Sequence, residues 1–290
     1  MATPTQWAAA TRPRTLPAAF APVAIGTGAA HAAGSADAGL ALLALVVAVA
    51  LQVGVNFAND YSDGVRGTDA TRVGPTRLVG QGLADAAIVK AAAFGCFGVA
   101  AVTGLALVAL TNSWLFLLLG GLAIVAAWRY TGGAHPYGYR GLGEVAVFVF
   151  FGLVAVLGTQ WTQAQQLSLA GVAGAVGTGA FACGILVANN LRDIPGDQAV
   201  GKRTLAVQIG AERTRLLYVA LIALPHLVVP LVAIGHPWSL LALLALPVSW
   251  PFVRLVRSGT TGAALIPVLG GTGVAQLTYA ALLSLGLLVG

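Results

Sequence analysis

Charged residues are rare in this sequence, which consists of long apolar runs separated by short polar segments. Of its 290 residues, 58% are hydrophobic and only 8% are charged. A water-soluble domain carries about 25% charged residues, and a helix needs roughly 20 mainly apolar residues to cross the hydrocarbon core of a bilayer. The sequence therefore predicts an all-α, polytopic membrane protein that is surrounded mostly by lipid.

Nine apolar runs are interpreted as membrane spans. They cover residues 15–33, 38–58, 86–110, 113–130, 143–161, 168–190, 213–234, 238–256 and 264–288. No linker or low-complexity segment separates them, so residues 1–290 are expected to form one membrane-embedded domain. Small residues recur at three- and four-residue spacing through residues 171–184, which favours close packing of helices in a membrane.

The lysine and arginine residues predict the orientation of the chain. With these nine spans, all 15 fall on one side of the membrane. Because positive residues are enriched in cytoplasmic loops, we expect a cytoplasmic N-terminus and an external C-terminus. These loops account for the net charge of +6, so no nucleic-acid partner is predicted. The sequence predicts no particular oligomeric state.

The N-terminal region also has features of a cleavable signal peptide. Arg12 and Arg14 precede an apolar run that ends near the small residues Ala30 and Ala32. Proline interrupts this run at two positions, and its removal would upset the alternation of charge across the later spans. An uncleaved first span is therefore the preferred interpretation.

Two segments at the predicted cytoplasmic ends of spans two and six contain five of the nine acidic residues. The first segment, residues 56–69, reads NFANDYSDGVRGTD. Its Asn56, Asn59, Asp60 and Asp63 are three or four residues apart, so a continuing helix would place them on one face. Polar side chains at the end of an apolar span are costly unless they line a cavity or a site.

The second segment, residues 189–197, reads NNLRDIPGD. Asp193 and Asp197 have the same helical spacing, but Pro195 and Gly196 lie between them and predict a kink or a helix end. Both segments are asparagine-rich helix ends that lead into paired aspartates. This similarity indicates an internal repeat, or convergence on one chemistry.

Together the two segments indicate a metal–diphosphate site at the cytoplasmic face. Oxygen atoms of aspartate and asparagine suit Mg²⁺, which usually bridges to substrate phosphate. Basic side chains near both segments could neutralise a diphosphate and donate hydrogen bonds to it. These bases are Arg66, Arg72, Arg77, Arg192, Lys202 and Arg203.

A prenyl diphosphate combines such a charged head with a tail that requires lipid or an apolar groove. Mg²⁺ would stabilise the departing pyrophosphate, and an electron-rich aromatic ring would then attack the cation-like allylic carbon. Aromatic side chains near the site could stabilise that carbon through cation–π attraction. The candidates, which could equally be interfacial tyrosines, are Tyr61, Tyr130, Tyr137 and Tyr139.

Four stretches of the chain resemble the UbiA superfamily of intramembrane prenyltransferases, and within it the 1,4-dihydroxy-2-naphthoate prenyltransferases of menaquinone synthesis. They are residues 12–17 (RPRTLP), residues 56–79 with both the first acidic segment and RVGP, residues 130–144 with PYGYRGLGE, and residues 189–210 with GKRTLAV. Many superfamily members have a third aspartate where this chain has Gly67. Asp69 follows instead, and its metal-binding role is less well supported.

The resemblance implies transfer of a polyprenyl group from a polyprenyl diphosphate to 1,4-dihydroxy-2-naphthoate, with loss of CO₂ and pyrophosphate. It implies Mg²⁺ as the cofactor, bound by Asp60, Asp63, Asp193 and Asp197, with Lys202 as a further catalytic residue. Combined with the segment chemistry, it gives these candidate substrate-binding residues: Arg14, Asn56, Asn59, Tyr61, Arg66, Asp69, Arg72, Arg77, Tyr130, Tyr139, Asn189, Arg192 and Arg203.

Three alternatives remain at this point. Another aromatic acceptor, 4-hydroxybenzoate or homogentisate, would suit the same chemistry. A CDP-alcohol phosphotransferase shares the Asp60-x-x-Asp63-Gly64 pattern, although the residues that follow here do not match that family. A secondary transporter is the alternative of a different class, but it predicts polar residues near the middle of the spans.

Overall fold

The computed structural model describes residues 2–68 and 76–290, and all regular secondary structure within these residues is helical. The helices are α1 Pro4–Ala10, α2 Pro17–Ala32, α3 Ala38–Val65, α4 Ala86–Thr111, α5 Leu115–Arg129, α6 Gly143–Val147, α7 Ala155–Ala164, α8 Leu169–Ala199, α9 Leu205–Ala233, α10 Ala245–Arg257 and α11 Ile266–Val289. A π-helical segment, Phe148–Val154, joins α6 to α7. Short 3₁₀ turns lie at Pro13–Thr15, Tyr137–Arg140, Pro237–Leu244 and Gly262–Leu265.

The predicted all-α membrane bundle is confirmed, whereas nine spans is an approximate count. Among the described residues, seven helical segments are long and apolar enough to cross a membrane, and they match predicted spans two, three and five to nine. Predicted spans one and four correspond to α2, with 16 residues, and α5, with 15. At 1.5 Å per residue these two helices reach only about 24 Å, less than the roughly 30 Å hydrocarbon core.

Helix α8 lies at the centre of the bundle. In its most apolar window 83% of the residues are buried, and it packs against α2, α9, α11 and the π-helical segment. The small residues between 171 and 184 are mostly buried in these contacts, which confirms the predicted close packing. Helix α3 packs mainly on α4, and the ends of α3 and α8 that carry the acidic segments meet at one site.

Both of these helices extend further than predicted. Helix α3 continues to Val65, so Asp60 and Asp63 lie within it. We expected Pro195 and Gly196 to kink or end α8, but the helix continues through both to Ala199. Proline removes one backbone donor, yet the helix end is determined instead by a glycine cap a few residues later. Asp193 and Asp197 therefore do share one helical face.

Candidate active site

The end of α3 brings the polar side chains of the first segment into the protein interior. Asn56, Asn59, Asp60 and Asp63 are 3%, 9%, 1% and 2% exposed, respectively. Asn56 donates through Nδ2 to the backbone oxygen of Thr11, at 2.8 Å. A buried polar group is costly without a hydrogen-bond partner, and the partners of these residues indicate what each one does.

Asp60 holds the chain segment that follows the undescribed residues 69–75. Its carboxylate accepts backbone N–H bonds from Leu78, at 2.6 Å, and Val79, at 3.1 Å. A side chain at position 64 would collide with Val79, since a Cβ there would lie 2.5 Å from its Cγ1 atom. Gly64 thus permits the close approach. Because Arg77 immediately precedes Leu78, Asp60 also determines where Arg77 lies.

Asp63 is surrounded by donors and positive charge. Lys202 Nζ lies 3.2 Å from Oδ1, Arg77 Nη2 lies 3.9 Å from Oδ2, and the Tyr139 hydroxyl donates to Oδ1. Lys202 also lies over the Tyr139 ring, 4.5 Å from its centroid. Burial, and then the negative charge of Asp63, raise the pKa of Tyr139 above its ordinary value, so this phenol stays protonated at neutral pH and acts as a donor.

A Schellman motif at the end of α8 places Lys202 beside Asp63. The Lys202 N–H donates to the backbone oxygen of Asp197, at 2.8 Å, and the Gly201 N–H donates to that of Gln198, at 3.2 Å. Gly201 has a φ of +74°, which glycine adopts without the steric cost that other residues meet. The sequence signal is the glycine immediately before Lys202, and the cap links the second acidic segment to the first.

In the second segment the carboxylate of Asp193 accepts hydrogen bonds from the neighbouring residue. Arg192 donates to Asp193 through Nε, at 2.6 Å, and through Nη2, at 2.7 Å. The same Nη2 atom donates to Asn189 Oδ1, at 2.9 Å. Arg192 is 6% exposed and Asp193 is 9% exposed, so this is a buried bidentate ion pair.

A cavity of about 540 Å³ joins the two segments. On α3 its wall extends from Ala44 to Asp63, which at 1.5 Å per residue is about 28 Å. Apolar residues of α3, α4, α5, the π-helical segment and α7 form most of the wall. At the end that carries the acidic segments, the polar lining residues include Arg12, Asn56, Asn59, Asp63, Arg77, Tyr130, Thr131, Tyr137, Tyr139, Asn189, Asn190, Asp197 and Lys202.

The structure places the remaining candidates elsewhere or does not describe them. Tyr61 stacks on Trp128, with ring centroids 5.9 Å apart, and Arg66 donates to the backbone oxygens of Thr131 and Gly133. Arg14 and Arg203 are exposed. None of these four residues is in the cavity wall. Asp69 and Arg72 lie outside the described residues.

Several cavity residues were not candidates from the sequence. Arg12 lines the wall where Arg14 was expected, because the chain turns at Arg12, whose φ is +55°. Thr131 lines the cavity and donates to Asn59 Oδ1, at 2.8 Å. Asn190 donates to Glu144 Oε1, at 3.0 Å. Both asparagines of the NN pair line the cavity, which a helical face alone would not predict.

The donor set fits a divalent cation that is shared with substrate. Within residues 2–68 and 76–290, no three acidic, histidine or cysteine side chains cluster as a complete metal site. Asp63 and Asp197 both line the cavity, together with the carboxamides of Asn59 and Asn189. Mg²⁺ is usually held by one or two carboxylates plus substrate phosphates, so phosphate oxygens would complete its coordination here.

These features define an integral membrane protein with a charged, polar site at one end of a long apolar cavity. The family comparison agrees with this assignment, because the model of the UbiA prenyltransferase family matches residues 19–265. The chain belongs to the UbiA prenyltransferase family and is a multi-pass membrane protein. Its membership excludes the CDP-alcohol phosphotransferase and secondary-transporter interpretations.

Curated relatives match almost the whole chain. The 1,4-dihydroxy-2-naphthoate octaprenyltransferase of Mycobacterium tuberculosis is 53% identical over 280 residues, which cover 97% of this chain and 96% of that protein. The protein of the same name from Escherichia coli is 40% identical over 277 residues, covering 92% and 89%. Among solved structures, a UbiA homologue from Archaeoglobus fulgidus bound to GPP and Mg²⁺ has a TM-score of 0.71 at 14% identity, covering 98% of this chain and all of that one. At this identity the structural match supports the fold alone.

Proposed function

We propose that the protein transfers a polyprenyl group from a polyprenyl diphosphate to 1,4-dihydroxy-2-naphthoate, releasing CO₂ and pyrophosphate. The observation that carries the proposal is one cavity in which Asp63, Asp197 and Lys202 lie at the end of a long apolar wall. The identity of the acceptor is supported by the relatives' names.

The polar end of the cavity would bind the diphosphate. Lys202 and Arg77 lie in the wall beside Asp63, where they can donate charge-assisted hydrogen bonds to phosphate oxygens. Asp63 and Asp197 would hold Mg²⁺, with Asn59 and Asn189 in support. When bound, Mg²⁺ supplies Lewis-acid stabilisation of the departing pyrophosphate. Asp60 and Asp193 would act by keeping Arg77 and α8 in place.

The rest of the cavity would hold the isoprenoid chain and exclude water. Phe116, Phe150 and Phe151 are part of its wall. Water excluded from this space cannot trap the allylic cation that forms when the carbon–oxygen bond breaks. Tyr130 and Tyr139 line the polar end of the cavity, where their rings could stabilise positive charge.

The proposed reaction is balanced without an added oxidant. The allylic carbon–oxygen bond breaks, and its electron pair leaves with pyrophosphate. A new carbon–carbon bond forms at the ring carbon that carries the carboxylate. The bond to CO₂ then breaks and returns its electrons to the ring. The product is a prenylated naphthalenediol, which gives demethylmenaquinone on later oxidation.

The proposal includes the orientation predicted from charge. The N-terminus and the polar end of the cavity would face the cytoplasm, and the C-terminus would lie outside the bacterial plasma membrane. Asp63 and Lys202 lie at the helix ends that border the positively charged loops. The anionic acceptor would then reach the site from the aqueous side, and the prenyl chain from the lipid.

A turnover assay tests this function. We expect the purified protein in detergent, given a radiolabelled polyprenyl diphosphate, 1,4-dihydroxy-2-naphthoate and Mg²⁺, to form labelled prenylnaphthalenediol and to release pyrophosphate. Addition of EDTA should stop both. Absence of Mg²⁺-dependent pyrophosphate release would refute the prenyl-transfer proposal. Turnover of 4-hydroxybenzoate without turnover of the naphthoate would reassign the acceptor.

A further inference from the structure

A second pocket lies beside the cavity, between the chain that follows α5 and the connection from α8 to α9. Its wall includes His135, Tyr139, Arg140, Arg203 and Gln208. The side chains of His135, Arg140 and Arg203 are exposed, and no carboxylate is among the described residues that line this pocket. The pocket is therefore open to solvent and positively charged. We call it the basic vestibule.

Hydrogen bonds to backbone oxygens hold the two walls of the basic vestibule together. The Arg203 N–H donates to the backbone oxygen of Tyr139, at 2.9 Å. Gln208 Nε2 donates to the backbone oxygens of Arg203, at 2.7 Å, and Arg140, at 3.2 Å. The backbones of the two arginines are thus fixed next to each other, while their exposed guanidinium groups can contact a ligand.

Tyr139 forms a wall common to the basic vestibule and the cavity. On the cavity side its hydroxyl donates to Asp63, and on the vestibule side its backbone oxygen accepts from Arg203. A ligand in the vestibule would therefore be separated from the carboxylate at the reaction site by one tyrosine side chain.

We propose that the basic vestibule binds the carboxylate of the aromatic acceptor before the ring moves past Tyr139 into the cavity. This inference rests on the proposed function. The acceptor is small, water-soluble and anionic, so it suits a solvent-open pocket with two arginines, whose positive charges attract a carboxylate. The prenyl diphosphate carries an apolar chain that fits the cavity wall. Exposed charges of this kind act mainly by steering and capture of a charged ligand.

Kinetics of arginine variants test this role. For Arg140→Gln and Arg203→Gln we expect the KM for 1,4-dihydroxy-2-naphthoate to rise about threefold each, and about tenfold in the double variant. The kcat and the KM for the prenyl diphosphate should stay within twofold. Arg140→Lys/Arg203→Lys, which keeps both charges, should recover most of the loss. Arg254→Gln/Arg257→Gln is the matched control, because it removes two exposed positive charges outside both pockets.

Recognition of the carboxylate itself is tested with two inhibitors, 1-hydroxy-2-naphthoate and 1-hydroxy-2-naphthamide. In the wild type the acid should bind more tightly than the neutral amide. The inhibition constant of the amide divided by that of the acid should fall about tenfold in the Arg140→Gln/Arg203→Gln variant. A raised KM for the diphosphate instead, or a result equal to the control, would overturn the inference. Wild-type protein that turns over no naphthoate would contradict the proposed function, whereas an active wild type with unchanged variants contradicts the vestibule alone.

Discussion

The two acidic segments are similar in sequence, but their carboxylates have different hydrogen-bond partners. Among the described aspartates of each segment one lines the cavity, Asp63 in the first and Asp197 in the second. The other described aspartate of the first segment, Asp60, accepts two backbone N–H groups from residues 78 and 79. In the second segment Asp193 pairs with its own neighbour, Arg192.

From this difference we expect unequal roles for the four aspartates. Asp60 links residues 78 and 79 to α3, so its loss should change the position of Arg77 and weaken binding of the diphosphate. Asp193 satisfies a charge on its own helix, so its loss should first affect the stability of α8. The two cavity aspartates should be equivalent in function despite these different surroundings.

The largest expected effect is loss of turnover in Asp63→Asn and in Asp197→Asn. Each change removes a negative charge from the cavity while keeping the size of the side chain. We expect kcat to fall about a thousandfold in both, the upper range for loss of one preorganised electrostatic group. Steady-state kinetics at saturating Mg²⁺ measure this fall in kcat. Thermal unfolding establishes that each variant is folded.

The control for this pair is Asp85→Asn, which changes an aspartate at the start of α4 that is not in the cavity wall. It should retain near-normal turnover. Strong loss in Asp63→Asn with little loss in Asp197→Asn would mean that the second segment does not contribute a ligand, and the proposed equivalence would be abandoned.

Sequence reasoning predicted the membrane bundle and the approximate spans, since these depend on apolar length, and the motifs predicted the family. It could not separate Asp60 from Asp63, because both carboxylates are buried on the same helix end and only the return of residues 78 and 79 distinguishes them. Arg12 and Arg14 have equal charge, and the local backbone turn determines which of them lines the cavity. Gly201 was noted in a motif, but its cap geometry appeared only in the structure.

A smaller effect is expected for Asp60→Asn. The carboxamide keeps one acceptor oxygen but presents an NH₂ group to the second backbone N–H, so the segment that carries Arg77 should loosen. We expect kcat/KM for the prenyl diphosphate to fall about 10–100-fold, the range for residues that position ligand-binding groups. Arg77→Gln should likewise lower kcat/KM for the prenyl diphosphate. If Asp60→Asn instead matches the thousandfold loss of Asp63→Asn in kcat, Asp60 is a direct ligand.

The smallest effect concerns stability and distinguishes the two ways of holding a carboxylate. Asp193→Asn leaves the buried Arg192 guanidinium without its bidentate partner, and an uncompensated buried charge is destabilising. Adding Arg192→Gln should restore part of the lost stability, with a coupling of about 0.5–3 kcal/mol, measured by thermal unfolding in detergent. Asp60 accepts from backbone N–H groups and not from a buried guanidinium, so adding Arg77→Gln to Asp60→Asn should restore no stability. Equal rescue in both pairs, or in neither, would show that the two segments hold their second aspartate by the same kind of interaction.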